Sequence, residues 1–236
     1  MKANDIFNRY SRQIFIDEIS ISGQRKIMDA RVLIVGAGGL GSPVIQYLAA
    51  AGVGSLGIID FDNVELHNLN RQVIHTEFSV GKPKVESAVQ FVQCLNSNVT
   101  CVPIYQKITA ENVHDIISNY DIIVEGSDNF KTRYMVNDAC VQLDKPLVYG
   151  SIFAFEGQVA VFNYRGSKHL RDLYPQEPSP EQVPNCDRYG VLGPLPGMVG
   201  TMMAMQVLKI LTGLSVKTNH LTIIDTLDWN FMQVEF

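Results

Sequence analysis

Cysteine is scarce in this chain: four occur in 236 residues, at positions 94, 101, 140 and 186, and no two form a C-x-x-C pair. That spacing excludes a dense disulfide framework and a four-cysteine zinc site. A long Lys/Arg stripe is also missing. Acidic residues outnumber basic ones by 24 to 19, for a formal net charge of −5, which argues against a broad nucleic-acid surface. The first ten residues are polar and charged, with no apolar segment of signal-peptide type. The most apolar stretch, Gly190 to Leu214, is broken by Gly193, Pro194, Pro196, Gly197, Gly200 and Lys209. It reads as a buried core helix beginning near Met198 rather than a membrane span. No repeat or low-complexity tract is present. The expectation is a soluble, cytoplasmic protein that touches neither nucleic acid nor membrane, with enough apolar sequence (46%) to bury one large core.

What is there in strength is alternation. Arg31–Val35, Leu56–Asp60, Val99–Tyr105, Asp121–Glu125 and Pro146–Gly150 read as strands, and the segments Ser42–Ala51, Pro83–Leu95, Ala110–Ser118 and Asp128–Leu143 read as helices between them. Strands alternating with helices predict an α/β fold, a Rossmann-like, doubly wound and mostly parallel sheet. After residue 150 the pattern changes. Glu156–Tyr164, Leu221–Asp225 and Asn230–Val234 read as further, antiparallel strands. Asn4–Gln13 reads as a polar leader, followed by a short helical segment, Ser22–Met28. Phe61–Lys82 is a long polar connection without clear periodicity, of a length that usually has a task. Cys94 and Cys140 fall in predicted helices and Cys101 in a strand, so all three are expected in the core. The Met202, Met203, Met205 cluster reads as core or dimer packing.

The densest chemistry lies at Gly36-Ala37-Gly38-Gly39-Leu40-Gly41, directly after the first strand. A glycine turn opening a helix points backbone N–H groups and the positive end of a helix dipole at one spot, which suits a phosphate. Asp60, at the end of the second strand, stands near where a ribose would lie. A redox dinucleotide needs no more than this, and an NAD(P)-dependent oxidoreductase or a nucleotide-binding scaffold without chemistry remain alternatives. Cleavage of a phosphate needs cations where charge develops. Arg71 and Lys84 could supply them, and Asp128 could hold a magnesium ion bridging phosphate oxygens. The plainer readings stand beside these: Ser127 or Asp128 as a helix N-cap, Arg71 and Lys84 as surface charges, Cys186 as packing.

Six ordered segments carry a resemblance: Arg9-Tyr10-Ser11-Arg12-Gln13, the Gly36–Gly41 loop, Asp60-Phe61-Asp62, Asn68-Leu69-Asn70-Arg71-Gln72, Gly81-Lys82-Pro83-Lys84 and Ser127-Asp128-Asn129. Together they resemble the ThiF/MoeB/HesA family, bacterial relatives of ubiquitin-activating enzymes, from about Arg9 to the C-terminus. The resemblance implies one adenylation domain over residues 1–236, with a nucleotide-binding half (about 1–150) and a carrier-binding and dimerisation half (about 151–236). It implies adenylation by MgATP of the Gly-Gly carboxylate of a ubiquitin-like sulfur carrier, with release of pyrophosphate ahead of thiocarboxylate formation. A sulfur donor such as a cysteine desulfurase would follow.

Carried over by position, Gly39 and Gly41 lie against the nucleotide and Asp60 binds the ribose. Asn68, Asn70, Arg71 and Lys84 handle the phosphates, Asp128 serves magnesium, and Asn129 lies alongside the nucleotide. Arg12 reaches into the active site of a partner subunit, which implies a homodimer. Cys186 matches a loop cysteine that in some members takes part in covalent linkage or sulfur transfer, and Arg188 nearby would favour its thiolate. Gly193-Pro194 and Gly200-Thr201 are nearer a ThiS-type (thiamine) activator than a MoaD-type (molybdopterin) one. One departure is clear: familiar members carry two C-x-x-C zinc pairs, whereas here the first region reads Ser167-Lys168-His169-Leu170-Arg171-Asp172 and no second pair follows. No structural zinc is expected.

Overall fold

A computed structural model describes residues 3–178 and 190–236. Its frame is one eight-stranded sheet in the order β3-β2-β1-β4-β5-β6-β7-β8. The parallel part comprises β1 (Arg31–Val35), β2 (Ser55–Ile59), β3 (Thr100–Ile104), β4 (Ile122–Glu125) and β5 (Leu147–Phe153). The antiparallel part adds β6 (Glu156–Phe162), β7 (His220–Asp225) and β8 (Asn230–Glu235). Of the last two strands only β7 pairs with β6, and β8 extends the sheet beyond it.

The central strands β1, β2, β4 and the first part of β5 are apolar runs because both faces of the sheet are covered there, whereas the edge strands β3 and β8 are largely exposed. Val32 and Ile34 pack into one cluster with α2 (Ser20–Asp29), α3 (Gly41–Ala51), α4 (Lys84–Leu95) and α8 (Pro194–Thr212). Leu33 and Val35 pack into the other, with α5 (Val113–Ser118), α6 (Phe130–Gln142) and α7 (Leu170–Leu173). Side chains such as Leu33 and Ile34 are fully buried, each contributing about 1.5–3 kcal/mol.

Helix α8 begins at Pro194, a turn before the expected Met198. Pro194 and Pro196 fall in its first turn, where a missing N–H leaves nothing unpaired. It is the one helix among the described residues long and apolar enough to cross a membrane. Here it lies across β5 and β6, where Gly150 and Gly157 leave room for Met203 and Val199. Met203 is buried, whereas Met205 is exposed. Of the three described cysteines, only Cys140 is buried; Cys101 is half-buried, and Cys94 lies on the outer face of α4, not in the core.

The stretch expected to be a polar leader is a helix, α1 (Ala3–Ile14). Tertiary contacts hold it. Tyr10, 3% exposed, rests on Gly52 and accepts a hydrogen bond from Asn96 Nδ2 at 2.9 Å. The Gln13 amide donates to Gln24 Oε1 at 2.7 Å.

Candidate nucleotide site

The sheet order reverses between β1 and β4, and a cleft of about 540 Å³ opens there, beyond the carboxyl ends of β1, β2 and β4. Its floor is the glycine loop. Gly36 takes φ +94, a left-handed backbone disfavoured with a side chain. At Gly41 a Cβ would stand 1.9 Å from the Gly36 carbonyl oxygen, so only glycine lets the chain double back into α3. Gly41 is therefore a turn residue beneath the loop and does not line the cleft, whereas Gly36, Gly38 and Gly39 do. Behind the loop, Ala37 is fixed from two sides. Its N–H donates to Asp60 Oδ2 at 2.8 Å, and its carbonyl meets His75 Nε2 at 2.9 Å.

Asp60, Asn70, Arg71, Lys84, Asp128 and Asn129 all line the cleft. The long connection brings two of them there by closing on itself: Val64 N–H donates to the Lys82 carbonyl and Lys84 N–H to the Asp62 carbonyl, both at 2.9 Å. Short 3₁₀ turns at Leu66–Asn68 and Glu77–Ser79 structure it. Lys84, 7% exposed, pairs through Nζ with Asp62 Oδ2 at 2.8 Å. Arg71 is held by the His67 carbonyl at 3.0 Å and Asn70 Oδ1 at 3.1 Å. Asn68 stands apart: it is buried, outside the cleft lining, and caps its own 3₁₀ turn by accepting from Glu65 N–H at 3.0 Å.

At the opposite wall, α6 is capped by Asn129, whose Oδ1 accepts from Thr132 N–H at 2.9 Å. Neither Ser127 nor Asp128 is the cap. Asp128 is exposed, and its carboxylate receives one long hydrogen bond, from Asn129 Nδ2 at 3.4 Å. Among the described residues no cluster of three metal-type ligands exists. A single exposed carboxylate lining a cleft that is floored by a glycine loop is a donor set that would fit Mg²⁺, which is commonly held by one or two carboxylates plus phosphate oxygens. Arg12 lies exposed on α1 and does not line this chain's cleft. Cys186 and Arg188 lie outside the described residues.

Several residues of the cleft escape sequence reasoning. Lys107 sits at its edge, over the Phe61 ring at 5.4 Å. Arg133 lines the wall, 5% exposed, and Glu125 is fully buried behind it. Burial pushes the Glu125 carboxyl up to about 7 against the opposing pull of Arg133, whose Nε is 3.6 Å from Oε2. Desolvation wins because that oxygen accepts no hydrogen bond. The same effect lowers the His75 imidazole and keeps it neutral.

Residues 10–236 match the ThiF family model. The chain belongs to the ThiF family. Among ThiF-related proteins, it is 51% identical over 210 residues to "Adenylyltransferase and sulfurtransferase MOCS3" of Danio rerio, an alignment covering 89% of this chain and 46% of that protein. It is 44% identical over 233 residues to "Sulfur carrier protein adenylyltransferase" of Thermus thermophilus, covering 96% and 86%. It is 48% identical over 204 residues to "SAMP-activating enzyme E1" of Haloferax volcanii, covering 86% and 75%. The chain spans about half the length of the MOCS3 proteins it matches. Among solved structures, E. coli MccB superposes with a TM-score of 0.86 at 24% identity, over 97% of this ThiF chain and 69% of MccB, a likeness of fold.

Proposed function

We propose that this chain is an ATP-dependent adenylyltransferase for a ubiquitin-like sulfur carrier with a Gly-Gly C-terminus. The observation that carries the reading is one cleft, floored by a glycine loop at a helix N-terminus, that gathers Arg71, Lys84 and Asp128. In the proposed reaction a terminal carboxylate oxygen of the carrier bonds to the α-phosphorus of ATP. The bond from that phosphorus to the bridging oxygen breaks, and pyrophosphate leaves with the electron pair. The carboxylate nucleophile is already ionised and needs no general base. The loop amides and α3 receive phosphate oxygens. Asp60 accepts a ribose hydroxyl with the carboxylate capacity left beside Ala37. Arg71 and Lys84 stabilise the charge that gathers on departing pyrophosphate. Mg²⁺, when bound through Asp128, adds charge neutralisation across the phosphates.

Names of relatives such as the Thermus protein support a sulfur carrier as substrate. A ThiS-like carrier is the first to test, for the reason given by Gly193-Pro194 and Gly200-Thr201, and a MoaD-like carrier the second. The homodimer, Arg12 acting in the partner's cleft, Cys186 in a later sulfur step and a desulfurase as sulfur donor belong to the same proposal. The test is pyrophosphate–ATP exchange with each carrier. Exchange that depends on a Gly-Gly carrier supports the assignment. Absence of exchange with every carrier, or binding of a nicotinamide dinucleotide in preference to ATP, sinks it.

A further inference from the structure

Ser127, the residue preceding Asp128, is gripped at both its N–H and its carbonyl. Ser127 N–H donates to Glu125 Oε1 at 2.8 Å, and the Ser127 carbonyl accepts from Arg133 Nε at 3.3 Å and Nη2 at 2.9 Å. Arg133 is itself tied down. Its Nη1 donates to Ser151 Oγ at 2.9 Å, and its guanidinium lies over the rings of Phe130 and Tyr149, at 5.0 and 5.6 Å. Burying this arginine beside a fully buried glutamate is expensive, and a well-packed apolar pair would hold the same elements together as well or better. Helix capping does not require them, since Asn129 caps α6. What they do hold is the bend that carries Asp128. The Asp128 side chain has only its one long contact with Asn129 to hold it, so its aim depends on the backbone beneath it. A guanidinium suits that task because its planar fork reaches one carbonyl with two N–H groups and still reaches Ser151 with a third; an ammonium cannot reproduce this geometry.

We propose that Arg133, oriented by Glu125, is a positioning residue that fixes the Ser127 peptide and thereby aims the Asp128 carboxylate at the divalent cation on the nucleotide phosphates. The proposal rests on the ATP reading above, and its test separates the two. Calorimetric titration of the full chain with ATP, in Mg²⁺ and in EDTA, gives the magnesium-dependent gain in affinity. Arg133→Lys is expected to lose about fivefold or more of that gain while binding of metal-free ATP stays within about twofold. Asp128→Asn should lose the gain entirely, and adding Arg133→Lys to it should change little further, since both act on one interaction. Should Arg133→Lys fold poorly by thermal unfolding, Ser151→Ala removes a single hydrogen-bonded support of Arg133 and should show the same split, about twofold.

An Arg133 variant that keeps the full magnesium gain overturns the proposal. So does equal weakening with and without magnesium, or penalties that simply add to those of Asp128→Asn. A wild-type chain that binds ATP without any magnesium gain removes the positioning role alone. A chain that binds no ATP removes the adenylation reading and this proposal together.

Discussion

Asp60 and His75 hold one residue between them: Asp60 Oδ2 accepts the Ala37 N–H at 2.8 Å, and His75 Nε2 lies 2.9 Å from the Ala37 carbonyl. A carbonyl only accepts, so the neutral imidazole carries its proton on Nε2 and accepts from Ser87 Oγ at Nδ1, 2.9 Å away. The glycine loop is thus held in place by a carboxylate on one strand end and a histidine buried in the long connection.

Replacing His75 with Phe removes that support without opening a large cavity, and strands two buried polar partners, Ala37 O and Ser87 Oγ. Each unsatisfied group costs about 1–3 kcal/mol. Thermal unfolding is expected to fall by roughly 2–4 °C per kcal/mol lost, and ATP titration to show weaker binding. Unchanged affinity would mean the loop holds its shape without the histidine.

Arg71→Ala and Asp128→Ala should each lower pyrophosphate exchange by about 10²–10³-fold, the size typical of losing one preorganised charge from a transition state. Asp128 is exposed and Arg71 half-buried, so stability should move by no more than about 1 kcal/mol. Lys84→Ala should lose exchange to a similar degree. Its partner Asp62 is about half exposed and becomes solvated once freed. Exchange assays with unfolding curves on the same preparations check all three.

Glu125 gives a pH signature. Its carboxyl, raised to about 7 by burial, holds a proton in the folded chain over a range where the unfolded chain, near 4.5, has released it. The folded state then binds more protons, so this group's contribution to stability falls as pH rises from about 4.5 through 7 and levels off above. Glu125→Gln, which mimics the protonated form, should be closest to wild type near pH 5 and gain relative to it at pH 8. Melting temperatures measured across that range decide it, and a gap that does not change with pH would exclude the ionisation.

If Arg12 acts in the partner's cleft, then mixing inactive Arg12→Ala chains with inactive Arg71→Ala chains should restore activity. Random pairing leaves about half of the dimers mixed, each with one intact site, so recovery approaching a quarter of wild-type exchange is expected. No recovery after subunit exchange argues for an Arg12 that acts within its own chain.

The parallel strands and the glycine loop were legible because a run such as Val32–Val35 followed by Gly36–Gly41 has few other uses. The cleft residues at strand ends were legible for the same reason. Helix α1 was not, since its weight of contact lies in Tyr10 against Gly52, a partner far along the chain. Asn129 and Asp128 are both able to cap, and only the backbone at residue 129, extended at φ −132 and ψ 141, decides which one does. Glu125 and Arg133 carry no local spacing signal, because one ends a strand and the other lies a full turn into the next helix. The sole hint was an acid closing the apolar run Ile122–Val124.

Strand β5 belongs to both halves of the sheet: Leu147–Tyr149 pair with β4 on one side, while the whole strand, Leu147–Phe153, pairs with β6 on the other. The chain therefore has no seam at residue 150 along which it could come apart. Unfolding should be a single cooperative event, and a fragment cut there would expose a strand edge open to pairing with other chains. A chain divided at residue 150 should therefore aggregate instead of yielding two soluble pieces.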